Sequence, residues 1–248
     1  QLLVERGLAA SRSQAARLIA GGLRWRAAGD ASWRTVAKNG EELPPAAELE
    51  LADTAEARYV SRGGLKLEGA LRASGVQVAG TRCLDVGQST GGFTDCLLQQ
   101  GAAQVVGVDV GHGQLHQRLR DDARVLAVEK VNARSLSAQD LTNAGDTGAP
   151  FDLVVGDLSF ISLTLVLPAL APLLVPQGDL LMLVKPQFEL QPGQIGKGGI
   201  VRDATLYDQV ERRLRDACGQ LGLRVIGWHD SAIAGGDGNR EFFVHAAR

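Results

Sequence analysis

Cys83-Leu84-Asp85-Val86-Gly87-Gln88-Ser89-Thr90-Gly91-Gly92-Phe93 is the stretch on which the fold turns. A short apolar run ends in Asp85, and a glycine-rich turn opens into the helical pattern of Thr94-Asp95-Cys96-Leu97-Leu98. That is the strand–loop–helix start of a nucleotide-binding α/β domain, in which glycine lets backbone approach a ligand closely. The dinucleotide fingerprint requires a second glycine two positions after the first, and Ser89 stands there. The spacing is D-x-G-x-x-x-G-G, so the loop is not built for a pyrophosphate. Taken alone, the same turn also fits a purely structural βα unit.

A second stretch adds to this reading. Val105-Val106-Gly107-Val108-Asp109 is a buried-type run ending in an acid, the position that takes ribose hydroxyls at the end of strand two in such sheets. The plainer role, an N-cap for a helix at Gln114 to Leu119, is disfavoured by the intervening Gly111 and Gly113. Further strands are expected at 124–128, 152–156, 179–184, 223–228 and 241–245, besides 82–86 and 105–109, with a helix from Ala204 to Cys218. This is an α/β protein with a Rossmann-like seven-stranded sheet ending in a hairpin. The pattern resembles that of S-adenosylmethionine (AdoMet) methyltransferases. The resemblance implies cofactor contacts from Asp85, Gly87, Ser89, Gly91, Phe93, Asp109, Val110 and Asp157. Asn132 is a further adenine contact, with a turn-forming Asn as the alternative.

The 248 residues are 45% hydrophobic and 22% charged, ordinary for a folded protein. Charge is uneven: residues 1–40 carry seven basic side chains against Glu5 and Asp30, while the whole chain is −2. A basic head on an acidic body predicts that the head meets a polyanion. Cys83, Cys96 and Cys218 form no C-x-x-C and predict reduced, buried thiols in a cytoplasmic protein. His112 and His116 lie four apart, but no third ligand accompanies them, so no metal is expected. The longest apolar stretch, Leu163 to Pro176, is too short to span a bilayer and contains three prolines. No signal-peptide pattern is present.

The head reads as two short helices and a small sheet. Leu2 to Gly7 is the first helix, and Ser11-Arg12-Ser13-Gln14 is a capping box opening the second, which runs to about Ala20. Strands follow at Leu23 to Arg26, around Trp33 to Val36, and at Leu49 to Leu51. Leu3 to Ala9 and Ser11 to Ala15 resemble the S4-type RNA-binding module, although Ala27 to Trp33 is longer than its usual hairpin. The resemblance implies RNA contacts from Arg6, Ser11, Arg12, Arg17 and Arg24, recognising folded RNA by shape. A solvated basic face is the bland alternative. The expected organisation is an S4-type domain over 1–52, a linker over 53–62 and the α/β body over 63–248.

Topology brings Asp157, after the fourth strand, and Lys185, after the fifth, to the carboxyl edge of the sheet. Lys at the end of a buried strand needs a partner, and Glu241 opens the last strand. A salt bridge buttressing the sheet edge is the structural alternative. The order Lys66, Asp157, Lys185, Glu241 resembles the catalytic K-D-K-E tetrad of FtsJ-like ribose 2′-O-methyltransferases. Tyr59 to Lys66, Asp157 to Ser162, Leu183 to Glu189 and Gly196 to Arg202, taken with the S4-type head, look like the TlyA family. Membership implies AdoMet-dependent methylation of ribosomal RNA, naked or in subunits, with Arg62 and Lys197 also facing RNA. Gln88 departs from the family's small residue and is expected to crowd or hydrogen-bond the methionine tail of the cofactor. The glycine-rich segment Gln191 to Val201 reads as a mobile, RNA-facing lid. Two other readings stand beside this one: a non-catalytic RNA-binding protein that keeps AdoMet, and a membrane-lytic haemolysin. A small-molecule methyltransferase is disfavoured by the basic head.

Overall fold

The computed structural model describes residues 1–9, 12–20, 22–30, 32–51 and 58–248. The chain divides into two compact units, Gln1–Arg62 and Gly63–Arg248.

In the first unit, α1 (Leu2–Glu5) and α2 (Arg12–Ala20) accompany a three-stranded antiparallel sheet of β1 (Leu23–Arg26), β2 (Arg34–Thr35) and β3 (Glu48–Leu51), ordered β2-β1-β3. Leu3, Ala9, Ala15, Leu18, Leu23 and Val36 form its core. The apolar positions of α2 recur at helical spacing and face that core. Ser11 of the capping box and residues 53–57 of the linker lie outside the described residues.

The second unit is a seven-stranded sheet ordered β6-β5-β4-β7-β8-β10-β9. Its strands are β4 (Arg82–Val86), β5 (Gln104–Asp109), β6 (Val125–Glu129), β7 (Phe151–Gly156), β8 (Leu174–Val184), β9 (Arg224–Asp230) and β10 (Phe242–Ala247). β4 to β8 pair in parallel and β10 is antiparallel to both β8 and β9. Chain order reverses at β4, where β5 lies on one side and β7 on the other, so a crevice opens beyond the carboxyl ends of these strands.

The central strands read as continuous apolar runs because both faces are covered. On one face Leu84, Val86, Val106, Val108, Val154, Leu180, Met182, Val184 and Val244 pack with Leu167 and Leu170 of α7 (Leu167–Leu170) and Leu214 of α9 (Thr205–Gln220). Each fully buried leucine contributes about 1.5–3 kcal/mol relative to exposure. Alternate residues serve the other face, where Phe93 of α4 (Gly92–Gln99) stacks on Phe243 at 6.0 Å. α3 (Gly63–Ser74) lies before β4, α5 (Gln117–Arg120) before β6, α6 (Ala138–Asn143) before β7, and α8 (Pro186–Glu189) directly after β8.

Two expectations shift. β8 begins at Leu174, five residues earlier than the apolar pattern suggests, because a register irregularity opposite Phe151 and Leu153 absorbs the Gln177-Gly178 turn within the strand. The helix expected at Gln114 to Leu119 is the short α5, capped by the His116 side chain, whose Nδ1 accepts from the Arg118 N–H at 3.2 Å. His116 therefore acts as a cap, and no metal-ligating group of three side chains occurs among the described residues. No helix among them is long and apolar enough to cross a membrane. All three cysteines are free and buried, and burial pushes the Cys83 thiol up to about 12 and that of Cys218 to about 11.

Candidate active site

The Asp85 turn sits at the reversal of chain order. Gly87 has φ 85°, and a Cβ there would come within 2.5 Å of the Asp157 carbonyl oxygen. Only glycine lets the β4 turn lie against the end of β7, and this apposition forms one wall of a cavity of about 360 Å³. Its lining brings together Gly87, Ser89, Asp109, Val110, Asn132 and Asp157, as the sequence suggests. Both Asp109 oxygens accept backbone N–H groups, Oδ2 from Ser89 at 2.8 Å and Oδ1 from Gly111 at 2.7 Å. A carboxylate has about four lone-pair sites, so acceptor capacity remains for a diol. Val110 is 74% exposed beside it, an apolar surface waiting for a flat partner. Asn132 Oδ1 accepts from Arg134 N at 3.0 Å, so this residue serves its turn while also lining the cavity.

Three of the expected cofactor residues stand behind the cavity wall. Asp85 is fully buried, and burial raises its carboxyl to about 7 despite the hydrogen bond from Thr94 Oγ1 at 2.7 Å. Gly91 caps α4 and packs near Leu115 and Leu119, while Phe93 belongs to the aromatic stack. Gln88 corrects the expectation placed on it. Its side chain is turned inward, buried over Gly107, where Nε2 donates to Thr94 Oγ1 at 2.9 Å. Gly107 supplies the space, since a Cβ there would overlap the Gln88 amide. Gln88→Ala is expected to cost about 1 kcal/mol, a fall of about 2–4 °C in Tm by thermal denaturation. AdoMet affinity, measured by calorimetry, should stay within about twofold, because the lost bond lies outside the pocket.

Two acid–lysine pairs accompany the cavity, the first sharing Asp157 with its lining. Lys185 Nζ lies 2.6 Å from Asp157 Oδ1 and donates to Ser159 Oγ at 2.9 Å. Lys66 donates to Glu241 Oε2 at 2.5 Å, with the two side chains 10% and 2% exposed. The helical pattern alone makes Lys66 a solvated surface lysine, but α3 and the start of β10 bury it against the acid. Burial raises the Glu241 carboxyl, an effect opposed by the hydrogen bond and charge of Lys66.

Neighbouring segments hold these groups. Helix α8 follows Lys185 directly, and Gln187 Nε2 donates to Asp237 Oδ2 at 3.0 Å in the turn that leads to Glu241. Glu189 accepts from Ser162 Oγ at 2.5 Å and from Leu163 N at 2.7 Å, fixing the far end of the Asp157 loop. The Gly-rich segment expected to be a mobile lid is tied at its end. Asn239 Nδ2 donates to the Gly199 carbonyl at 2.9 Å, and Asn239 Oδ1 accepts from Val201 N at 2.9 Å. Lys197 remains exposed within it.

Motif reading missed Phe160. It is 91% exposed, adopts φ 64° and lies 5.1 Å from the Phe188 ring. It is an exposed aromatic held in a left-handed backbone conformation three residues after Asp157. The residue lies in the Asp157 to Ser162 stretch that carries the family resemblance, but that stretch does not say that the ring is exposed.

In the first unit the basic residues divide. Arg6 donates to the Ala47 carbonyl at 2.6 Å and also to that of Pro45, and Arg24 pairs with Glu50 across the sheet. Arg12 is exposed, and Arg62 is half-buried. Ser11 and the Arg17 side chain lie outside the described residues.

Residues 59–248 match the family model described as FtsJ-like methyltransferase. The chain is 45% identical over 242 residues to the Mycobacterium tuberculosis protein named 16S/23S rRNA (cytidine-2′-O)-methyltransferase TlyA, covering 98% of this chain and 86% of that one. It is 39% identical over 188 residues to Hemolysin A of Brachyspira hyodysenteriae, covering 76% of each. Among solved structures, a candidate hemolysin from Streptococcus thermophilus superposes with TM-score 0.76 at 40% identity, covering all of this chain and 86% of that one. An AdoMet-dependent methyltransferase from Mesorhizobium loti shares the fold at TM-score 0.52 and 16% identity, over 72% of this chain and 96% of that one.

Proposed function

The chain belongs to the FtsJ-like methyltransferase family, and from that premise we propose that it methylates ribose 2′-hydroxyls of ribosomal RNA with AdoMet as donor. The observation that carries this reading is the Lys185–Asp157 pair, whose Asp157 lines the cavity, with the Lys66–Glu241 pair close enough that Lys185 and Asp157 both act on the Glu241 carboxyl. When bound, AdoMet supplies a methyl group on a positively charged sulfur. The cavity suits it: Asp109 keeps acceptor capacity for the ribose, Val110 offers the adenine an apolar contact, and the Gly87 cradle admits the amino-acid tail.

Methylation at a pyrimidine C5 needs an activated thiolate, and Cys83, Cys96 and Cys218 are buried, with the Cys83 and Cys218 thiols pushed far above neutrality. A ribose hydroxyl is a weak nucleophile whose proton must be drawn off during attack, which calls for a positioned base. Lys185 is that base in its neutral form, oriented by Asp157. Glu241 holds Lys66 in place through their buried hydrogen bond. Phe160 stacks a base of the RNA beside the reacting ribose.

The first unit supplies RNA affinity through Arg12, Arg17, Lys38 and Arg62, with Lys197 contributing from the second unit. Arg6 and Arg24 already hold carbonyls and a carboxylate, so they contact RNA only by sharing or exchanging those partners. The expected setting is the cytoplasm, where ribosomal subunits assemble. Transfer of labelled methyl from AdoMet to ribosomal subunits lacking native modifications tests the reading. Label at a ribose 2′-oxygen, lost in Asp157→Ala, is the expected result. AdoMet and RNA binding without transfer would favour the non-catalytic alternative.

A further inference from the structure

We propose that Ser159 is a positioning residue for Lys185, a role that rests on the methyl-transfer reading above. A neutral lysine amine carries two N–H bonds and one lone pair. Rotation about the Cε–Nζ bond leaves the direction of that lone pair open unless both N–H groups are engaged. Here Ser159 Oγ accepts the hydrogen bond from Nζ at 2.9 Å, while Asp157 Oδ1 lies 2.6 Å from the same nitrogen as an ion-pair contact outside hydrogen-bond geometry. The Ser159 bond sets the direction of one N–H, and the carboxylate draws the other toward its side, so the lone pair turns away from both. The carboxylate alone, with no aligned hydrogen bond, leaves the amine free to turn.

The surroundings make Ser159 an effective second anchor. Its loop is held at both ends, by the Asp157 N–H donating to the Val86 carbonyl at 3.0 Å and by Glu189 accepting from Ser162 and Leu163. Ser159 lines the same cavity as Asp157, so its hydroxyl sits on the cavity wall beside the base. Lys66 is engaged with Glu241 and, being a donor only, cannot replace that acceptor. Ser159 makes and breaks no covalent bond in the reaction. The ribose hydroxyl proton passes to Lys185 Nζ, the oxygen–methyl bond forms, and the electrons of the methyl–sulfur bond stay on sulfur. Ser159 Oγ accepts the same N–H throughout.

Steady-state methyl transfer by Ser159→Ala and Ser159→Thr, with AdoMet binding followed by calorimetry, tests the assignment. Ser159→Ala is expected to lower kcat about tenfold, the scale of a misaligned reacting group, with the RNA KM and AdoMet Kd within about twofold of wild type. Ser159→Thr keeps the acceptor and should restore kcat to within about threefold. Unchanged kcat in Ser159→Ala, a loss that threonine does not restore, or an effect confined to AdoMet Kd each overturns the proposal while leaving the methyl-transfer reading intact. A wild-type protein that transfers no methyl to any ribosomal RNA overturns both.

Discussion

Lys185→Ala is expected to lower methyl transfer by about a thousandfold or more while RNA binding stays near the wild-type level, since a general base contributes roughly 10²–10⁴-fold. The side chain is 13% exposed and touches Asp157 and Ser159, so its loss removes the proton acceptor with little loss of packing. Lys185→Arg sharpens the test. Arginine keeps the charge and can still pair with Asp157, but it does not give up its proton in proteins. It should therefore be about as inactive as alanine. Single-turnover kinetics with saturating AdoMet, alongside a gel-shift assay of RNA binding, separates the chemical step from recognition. A Lys185→Arg enzyme with near wild-type turnover would remove Lys185 from the role of base and leave it as an electrostatic group.

Glu241→Ala is expected to cost about 3 kcal/mol, because it leaves the Lys66 ammonium buried without its partner. For a chain of this size that corresponds to a fall of about 6–12 °C in Tm. Turnover should fall as well, since Lys66 would no longer be held beside the base. Stability and catalysis can be separated here. Replacing both members, Lys66→Met with Glu241→Leu, removes the buried charges and fills the space with apolar volume, a change that is often neutral or stabilising. The double variant should therefore recover most of the lost Tm without recovering turnover. If it regained activity, the pair would be structural, as a salt bridge buttressing the sheet edge.

The sequence alone determined the α/β sheet, the place of its cavity and part of the cavity's lining. These depend on local signals: apolar runs that must be buried, acids at strand ends, and glycines at a turn where a Cβ would strike the next strand. Asp85, Gly87 and Asp109 each carry that information in the few residues around them. Side-chain direction was decided only by tertiary structure. Gln88 is one residue from Gly87, yet it turns away from the cavity because Gly107, on the neighbouring strand, leaves room for its amide. Lys66 looks like a solvated helical lysine until a strand 175 positions later brings Glu241 against it. Arg6 and Arg24 read as free cations for RNA, but carbonyls and a carboxylate distant in sequence hold them. Ser159 and Phe160 stand in a stretch that carries the family resemblance, yet their roles were not legible there, because their meaning lies in what the folded loop places beside them. Burial and backbone pattern are written locally, whereas the partner that satisfies a buried charge or aims a polar group comes from elsewhere in the chain, and only the packed fold selects it.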